Sequence, residues 1–374
     1  METVDFKKTE ISEIKSLLNK QQNYLRFLYL LMPGSASDEA TWSNLQDYDD
    51  WIETASDEDV REKAQSNYNL WDKVVREWQV TFNLKDSWEQ IAEDVKALEE
   101  DPAFSWATGP ISYGWLAERI DCSLFEIPGD LPYHAKVGAG YQALGFAIEE
   151  DFLLRDAILF LVMAQHEYEM LDEAIKRAEK SNQSIEEIFE INNKHAENVA
   201  TYSRTAVFSF YAFIECFVNS ICEDFLARNS EITFEEKDID NLKGFKISDR
   251  GQKYFQIQKR MEKIPGIIRG DKEYHLLLSD PAQRTEPFDS FFGSLKKIRD
   301  STTHHAKSKA EIIRNPEEWM KIADNACDTC LEVASLFWVA CYPDRSNPIY
   351  LDGLDKVKYI NSAKNRYTSV GNVQ

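Results

Sequence analysis

Apolar residues recur at helical spacing through the first hundred residues. The first such stretch covers residues 10–32, and several stretches with acidic polar faces follow between residues 37 and 100. Apolar positions three and four residues apart lie on one face of a helix, and that face is buried against a neighbouring element. We expect the tryptophans of these stretches to be core anchors rather than ligand-stacking residues: Trp42, Trp51, Trp71, Trp78 and Trp88.

Residues 101–142 interrupt this pattern. They contain Pro and Gly residues, such as Pro128 and Gly129, interspersed with aromatic ones. Pro and Gly favour turns, whereas aromatic side chains favour packing. We therefore predict a packed connection here, with a domain boundary at about residue 135.

Two long helical patterns follow, over residues 141–180 and 185–229, and the second leaves room for a break. Within the second, residues 205–226 are apolar on almost every side, which is typical of a helix inside a bundle or at an oligomer interface. Glu215 lies in the middle of this run. A buried carboxylate is costly unless it is paired. Glu215 therefore lies either on a narrow polar edge of the helix or beside an Arg in a polar pocket.

The remaining third of the chain is less regular. Residues 230–285 are basic and broken into short pieces, and we expect Pro265 and Gly266 to end one of them. A helical pattern resumes at residues 288–298, and residues 300–303 are of the types that cap helices and are expected to interrupt it.

A last long helix is predicted from Pro316 to about Tyr342. Pro at the first helical position, followed by Glu317 and Glu318, is typical of a helix N-terminus. We expect residues 346–374 to form a polar, loosely attached tail.

Charge restricts where a nucleic acid could bind. The chain carries a net charge of -22 at pH 7, which repels nucleic acid from the molecule as a whole. Residues 241–313 are the exception, with 15 Lys or Arg against 9 Asp or Glu, a net charge of +6. This basic segment either attracts phosphate or is a solvated face paired with the acidic half.

Targeting and metal signals are weak. The N-terminus has no signal-peptide pattern, and the apolar run at residues 152–164 is too short to span a bilayer. We expect a cytoplasmic, soluble protein with no membrane partner and with reduced thiols.

Cys327 and Cys330 lie in a helical pattern, where core packing is favoured over a zinc or redox site. His304 and His305 would need carboxylate partners to bind a metal, so we expect none.

The basic segment contains an Arg-x4-His element, in which Arg299 and Asp300 are followed by His304. An apolar helix precedes it and the last long helix follows it. In these features residues 190–343 resemble the HEPN superfamily of helical-bundle ribonucleases. We predict an all-α fold, in which an acidic helical domain over residues 1–135 is joined to a bundle over residues 136–345 that the resemblance implies to be HEPN-like.

The resemblance also implies a metal-independent endoribonuclease that leaves 2′,3′-cyclic phosphate ends and requires no cofactor. It implies a homodimer that acts as a toxin or antiviral effector, with a regulatory or antitoxin partner. The acidic domain would then regulate the site, sense a trigger or contribute to oligomerisation, and its charge alone suggests that it could occlude the basic segment. The implied site residues fall into three groups: catalytic Arg299, Asp300 and His304; supporting Glu215 and His305; and RNA-binding Lys296, Lys297 and Lys307.

The residue types suit this chemistry. An imidazole titrates near neutrality and can take the proton of a 2′-hydroxyl. A guanidinium can donate two hydrogen bonds to phosphate oxygens and stabilise the charge of the transition state.

Two alternatives stay open. Arg269 and His275 form an Arg-x5-His that also fits the loose form of the pattern, although Gly270 follows the Arg and no apolar helix precedes it. The bundle could also be a catalytically inactive dimerisation module or a nucleotide- or RNA-binding module. In that case Arg299 would only pair with an acid such as Glu215.

Overall fold

Two compact units make up the chain in the computed structural model. The structure describes residues 5–31, 39–79, 83–100, 111–122, 130–139, 144–178, 180, 185–248, 251–303 and 314–371. Unit 1 comprises Met1–Ile127 and Tyr133–Ala147, and unit 2 comprises Pro128–Pro132 and Ile148–Gln374.

Unit 1 is built around its first helix. Helix α1 packs against each of the three helices that follow it. Buried side chains of α1, among them Leu18, Tyr24 and Leu25, belong to the core of this unit, and Trp51 and Trp71 pack against that core. The helices run as predicted from the apolar spacing: α1 at Ile11–Leu31, α2 at Glu39–Thr54, α3 at Asp57–Gln79 and α4 at Trp88–Glu99.

A small antiparallel sheet completes unit 1, in the order β1-β2-β3. Strand β1 is Ile111–Ser112, β2 is Lys136–Ala139 and β3 is Leu144–Ala147, and a short helix, α5, follows β1 at Tyr113–Arg119. The predicted boundary at about residue 135 is therefore too early. Pairing with β1 satisfies the backbone groups of β2 and keeps the chain in unit 1, a contact that composition does not reveal.

Two long helices form the frame of unit 2. Helix α6 (Glu149–Ala178) packs along α7 (Ile185–Arg228), and α11 (Pro316–Cys341) packs against both. Helix α7 is continuous over 44 residues, so the break that the sequence pattern left open does not occur. The core of this unit is aromatic, with Phe213 and Phe217 of α7 stacked on each other and Phe217 on Trp338 of α11. Burial on several sides supports a helix of this length.

Short elements cover one side of this frame. Helix α8 (Glu236–Lys243) leads into a hairpin of β4 (Phe245–Ser248) and β5 (Gly251–Tyr254), and α9 (Ile257–Arg269) follows. Pro265 does not end α9, contrary to expectation. It lies in the last turns of the helix, where Ile264, Pro265 and Gly266 are all buried, so packing offsets the lost backbone hydrogen bond.

The segment before the Arg-x4-His element is helical. A π-helical turn at Ser290–Leu295 runs directly into α10 (Lys296–Thr303). The prediction that residues 300–303 interrupt the helix is therefore wrong. Capping preference is worth about 1 kcal/mol, and the buried side chains of Phe291, Phe292 and Leu295 hold the preceding turn against the bundle.

The predicted loose tail is also wrong. A 3₁₀ turn at Ile349–Leu354 and helix α12 (Lys356–Gly371) follow α11, and α12 packs on α6. Leu351 and Tyr359 are buried, and the Tyr359 hydroxyl donates to Asp151 of α6 at 3.1 Å. The apolar positions of this segment are few, so the sequence pattern missed them.

Helices dominate the described residues, and strands are confined to the small sheet and the hairpin. The predicted all-α fold is confirmed. Among the described residues, one helical stretch, Asn192–Arg228, is long and apolar enough to cross a membrane. The most apolar part of that stretch is 61% buried within the protein.

Candidate functional site

Helices α7 and α10 bring together three of the predicted site residues. Glu215 projects from the middle of α7, and Arg299 and Asp300 lie on α10. The Arg299 Nη2 lies 3.6 Å from the Glu215 Oε1, and the Arg299 Nη1 lies 3.4 Å from the Asp300 Oδ1. These distances exceed the 2.7–2.9 Å that is usual for charge-assisted hydrogen bonds. The two carboxylates therefore hold Arg299 at ion-pair distance.

The ring of Tyr211 forms the floor beneath Arg299. The Arg299 Cζ lies 4.1 Å from the ring centroid, within cation–π range. Tyr211 precedes Glu215 by four residues, so both side chains lie on one face of α7. Tyr211 was not among the residues predicted for the site. A phenol one turn before a carboxylate in the middle of an apolar run was the available signal.

The π-helical turn before α10 aligns this site. Its Phe291 ring is fully buried and stacks on Tyr211, with centroids 5.0 Å apart and planes 7° apart. Tyr211 therefore contacts both an apolar ring of the core and the guanidinium. A ring held by Phe291 places Arg299 on a rigid support rather than on a loop.

Burial shapes the electrostatics of the site. It raises the pKa of Glu215, and the charge of Arg299 opposes that shift. Burial also raises the pKa of the Tyr211 hydroxyl. For Arg299, burial alone would lower the pKa of the guanidinium, but contacts with Tyr211, Glu215 and Asp300 outweigh it and raise the pKa. Arg299 is thus a cation with a 26% exposed side chain, next to a Glu215 side chain that is 45% exposed.

Glu215 fits both of the alternatives drawn from the sequence. It is partly exposed, as on a polar edge, and it also faces an Arg. Of the predicted RNA-binding residues, Lys296 is half-buried one turn before Arg299, and Lys297 is exposed. His304, His305 and Lys307 lie outside the described residues.

The competing Arg269–His275 pair has a different environment. The Arg269 Nε donates to the carbonyl of Ala340 at 2.5 Å, and its Nη2 donates to that of Val339 at 3.0 Å. These are among the last carbonyls of α11, which no residue within the helix can satisfy. The guanidinium also lies 4.0 Å from the ring centroid of Tyr274. Arg269 therefore caps a helix, and the structure gives it a role that needs no substrate.

A cavity of about 360 Å³ lies at the C-terminal end of α7. Ser220 and Tyr350 line it, and the hydroxyls of both donate to the Oε1 of Glu150, Tyr350 at 3.2 Å. Glu150 is fully buried, and this burial raises the pKa of its carboxyl to about 7. Arg228 and Arg345 also line the cavity, although Arg228 is already paired with Asp224 at 2.8 Å.

Within the described ranges, no group of three or more His, Cys, Asp or Glu side chains is arranged to bind a metal. Cys327 and Cys330 are buried in the core of unit 2, and burial raises the pKa of the Cys327 thiol to about 12. A thiol in this state is neutral at physiological pH and is a poor nucleophile.

Comparison with family models, curated proteins and solved structures gave no match to this chain.

Proposed function

We propose that the chain is a cytoplasmic, metal-independent endoribonuclease of the HEPN type, acting as a toxin or antiviral effector. One observation carries the proposal. Arg299 is a partly exposed cation on a rigid aromatic support, and His304 follows α10 directly in the chain. Guanidinium and imidazole are the two groups that RNA cleavage needs when no metal takes part.

In this reaction His304 takes the proton of the 2′-hydroxyl. The 2′-oxygen attacks phosphorus, the bond to the 5′-oxygen breaks, and His305 returns a proton to that leaving oxygen. Arg299 binds the phosphate oxygens as their charge grows. The products are a 2′,3′-cyclic phosphate and a 5′-hydroxyl.

The carboxylates have positioning roles in the proposal. Asp300 and Glu215 hold the guanidinium toward the substrate, and they lie far enough from it for phosphate to replace them. Lys296, Lys297 and Lys307 extend the positive charge along the bound RNA. A homodimer would place two such sites together, and the acidic N-terminal unit or an antitoxin would regulate them.

An RNA cleavage assay on the full chain tests the proposal. We expect Arg299→Ala and His304→Ala each to lower the cleavage rate at least about 100-fold, because each removes a group acting in the transition state. Arg269→Ala is the matched control, since Arg269 caps a helix, and it should leave the rate unchanged. The product ends should be 2′,3′-cyclic phosphates, and EDTA should have no effect.

Cleavage that survives both Arg299→Ala and His304→Ala would refute the mechanism, and so would cleavage that EDTA abolishes.

A specific observation favours a second candidate, a catalytically inactive RNA-binding or dimerisation module. Two carboxylates already balance the charge of Arg299. Under that alternative the wild-type chain binds RNA without cleaving it, and Arg299→Ala lowers stability instead.

A further inference from the structure

The β4–β5 hairpin is exposed on both of its faces. Seven of its eight strand residues are exposed, and only Phe245 is half-buried. Ile247 and Tyr254 are each 74% exposed. A two-stranded hairpin is marginally stable at best when a core does not cover it. This hairpin therefore presents a large surface for its size.

One cross-strand pair makes the hairpin less stable. Lys246 lies directly opposite Lys253 in the register, and both side chains are exposed. Like charges directly opposite each other on one face destabilise a strand pair. Lys246 reaches Asp240 only at 3.8 Å, and Lys253 forms no ion pair within the described part of the chain. An anion bound on this face would turn the repulsion into attraction.

Most of the positive charge of the basic segment lies in the hairpin and in the residues that flank it in the chain. Residues 243–263 hold seven Lys or Arg against two Asp or Glu, a net charge of +5, whereas the whole of residues 241–313 has +6. Arg260 is the one buried member of this group among the described residues, and it is bonded internally to Asn219 and to the backbone. Lys243, Lys259 and Lys263 are exposed.

We propose that the β4–β5 hairpin, together with the exposed lysines of α9, is a docking surface for the backbone of single-stranded RNA. The choice of RNA rests on the proposed function, but docking does not require cleavage. The lysines can contact successive phosphates of the backbone. The exposed ring of Tyr254 lies on the opposite face of the hairpin from Lys246 and Lys253, and it offers a platform for a base that reaches around the edge of the strand. Duplex RNA fits less well, because its bases are paired and stacked inside the helix and cannot stack on Tyr254.

Binding of the full-length chain to a fluorescent single-stranded oligonucleotide tests this surface. The oligonucleotide carries 2′-O-methyl groups, so it lacks the attacking hydroxyl and stays intact. We expect the double variant Lys246→Gln, Lys253→Gln to bind about tenfold more weakly at 50 mM salt. Two lost phosphate contacts should also reduce the slope of log affinity against log salt by about 1.4.

The matched control is Lys194→Gln, Lys358→Gln, which removes the same charge from two exposed lysines elsewhere in unit 2. It should bind like the wild type. Equal weakening in both double variants, or none in either, would overturn the proposal. Removing the like-charged pair should leave the thermal unfolding midpoint unchanged or raise it. If that variant does not fold, Lys259→Gln, Lys263→Gln on α9 replaces it with the same expected direction.

A second pair of variants identifies the occupant. Tyr254 and Ile247 are equally exposed on the same face of the hairpin, so Tyr254→Ala should weaken binding at least fivefold and Ile247→Ala should not. Equal effects of the two, or competition by polyglutamate as effective as by RNA, would assign the surface to an acidic protein and overturn the RNA proposal.

The two proposals fail separately. Lysine-dependent binding without any cleavage of ordinary RNA would sink the nuclease and keep the docking surface. If cleavage depends on Arg299 but RNA binding does not change when Lys246 and Lys253 are replaced, the nuclease proposal stands and the docking surface is refuted.

Discussion

Arg260 and Glu150 are buried charged residues in unit 2, and the protein accommodates them differently. Arg260 donates hydrogen bonds to Asn219 and to the carbonyls of Asn241 and Leu242, so its charge is spread over several acceptors. Glu150 accepts hydrogen bonds from Ser220 and Tyr350 at one carboxylate oxygen only. Burial away from water and without a counter-ion disfavours the charged carboxylate. It therefore raises the pKa of Glu150 to about 7.

Glu150 should make stability depend on pH. Its carboxyl has an ordinary pKa of 4.5 and a folded pKa of about 7, so between these values the unfolded chain loses the proton while the folded chain keeps it. The unfolding free energy attributable to Glu150 should therefore be greatest below pH 4.5 and fall by about 1.4 kcal/mol per pH unit up to pH 7. Urea unfolding of Glu150→Gln and wild type at pH 5, 6 and 7 measures the difference.

The control is Glu149→Gln, at the exposed neighbouring position. It should keep the pH dependence of the wild type. A wild-type chain and a Glu150→Gln variant with parallel pH profiles would show that Glu150 titrates normally in the folded state.

Arg260 should be among the least replaceable residues of unit 2. Arg260→Met keeps the aliphatic volume but leaves the carbonyls of Asn241 and Leu242 and the Asn219 amide oxygen without their donor. We expect the unfolding free energy to fall by about 3 kcal/mol or more. Lys259→Met, at the exposed adjacent position, should change it by less than about 0.5 kcal/mol. Denaturant unfolding that shows equal small losses would contradict this assignment.

At the scale of elements, helix α11 is stabilised at both ends by different means. At its N-terminus Asn315 and Glu318 form a capping box, with the Asn315 side chain accepting from the Glu318 N–H at 2.8 Å. At its C-terminus Arg269 of α9 caps the carbonyls of Val339 and Ala340. The first cap is local and could be anticipated from Pro316 and the acids that follow it. The second comes from a residue 70 positions away.

The cap by Arg269 has a measurable consequence. Arg269→Ala should lower the unfolding free energy by about 2 kcal/mol, because two hydrogen bonds from a cation to partly buried carbonyls are lost at a helix C-terminus. The same change at Arg177, in an exposed ion pair with Glu173, should cost less than about 1 kcal/mol. Denaturant unfolding compares the two, and a loss of RNA cleavage in a stable Arg269→Ala chain would instead point to a catalytic role.

At the scale of the whole molecule, the chain consists of two units of unequal charge. Residues 1–127 and 133–147 hold 26 acidic and 13 basic residues, a net charge of -13, and the rest of the chain carries -9. Each unit has its own apolar core. A unit with its own core can unfold by itself, so two transitions are expected on heating.

Matched core variants assign the two transitions. Leu25→Ala in unit 1 and Leu161→Ala in unit 2 each remove a fully buried Leu side chain. Each should destabilise its own unit by about 2–5 kcal/mol and leave the other transition in place by calorimetry. One transition that both variants shift equally would show that the units unfold together.

The local sequence pattern was sufficient to predict most helices and to single out some residues of the candidate site. Apolar spacing predicted α1 to α4, the long helices of unit 2 and the start of α11 at Pro316, because a helix must bury one face and close its first turn with nearby residues. The Arg-x4-His element could be located from its residue spacing and from the helices predicted on either side of it. Glu215 could be singled out as a carboxylate in an apolar helix.

Only the tertiary structure decided what these residues contact. The ring of Tyr211 beneath Arg299, the strand β1 that retains β2 in unit 1 and the packing of α12 on α6 all join positions far apart in the sequence. Arg299 and Arg269 occupy similar motifs, yet one lies beside two carboxylates and the other caps a helix. Motif spacing is a local property, whereas the environment of a charge depends on every element that packs around it.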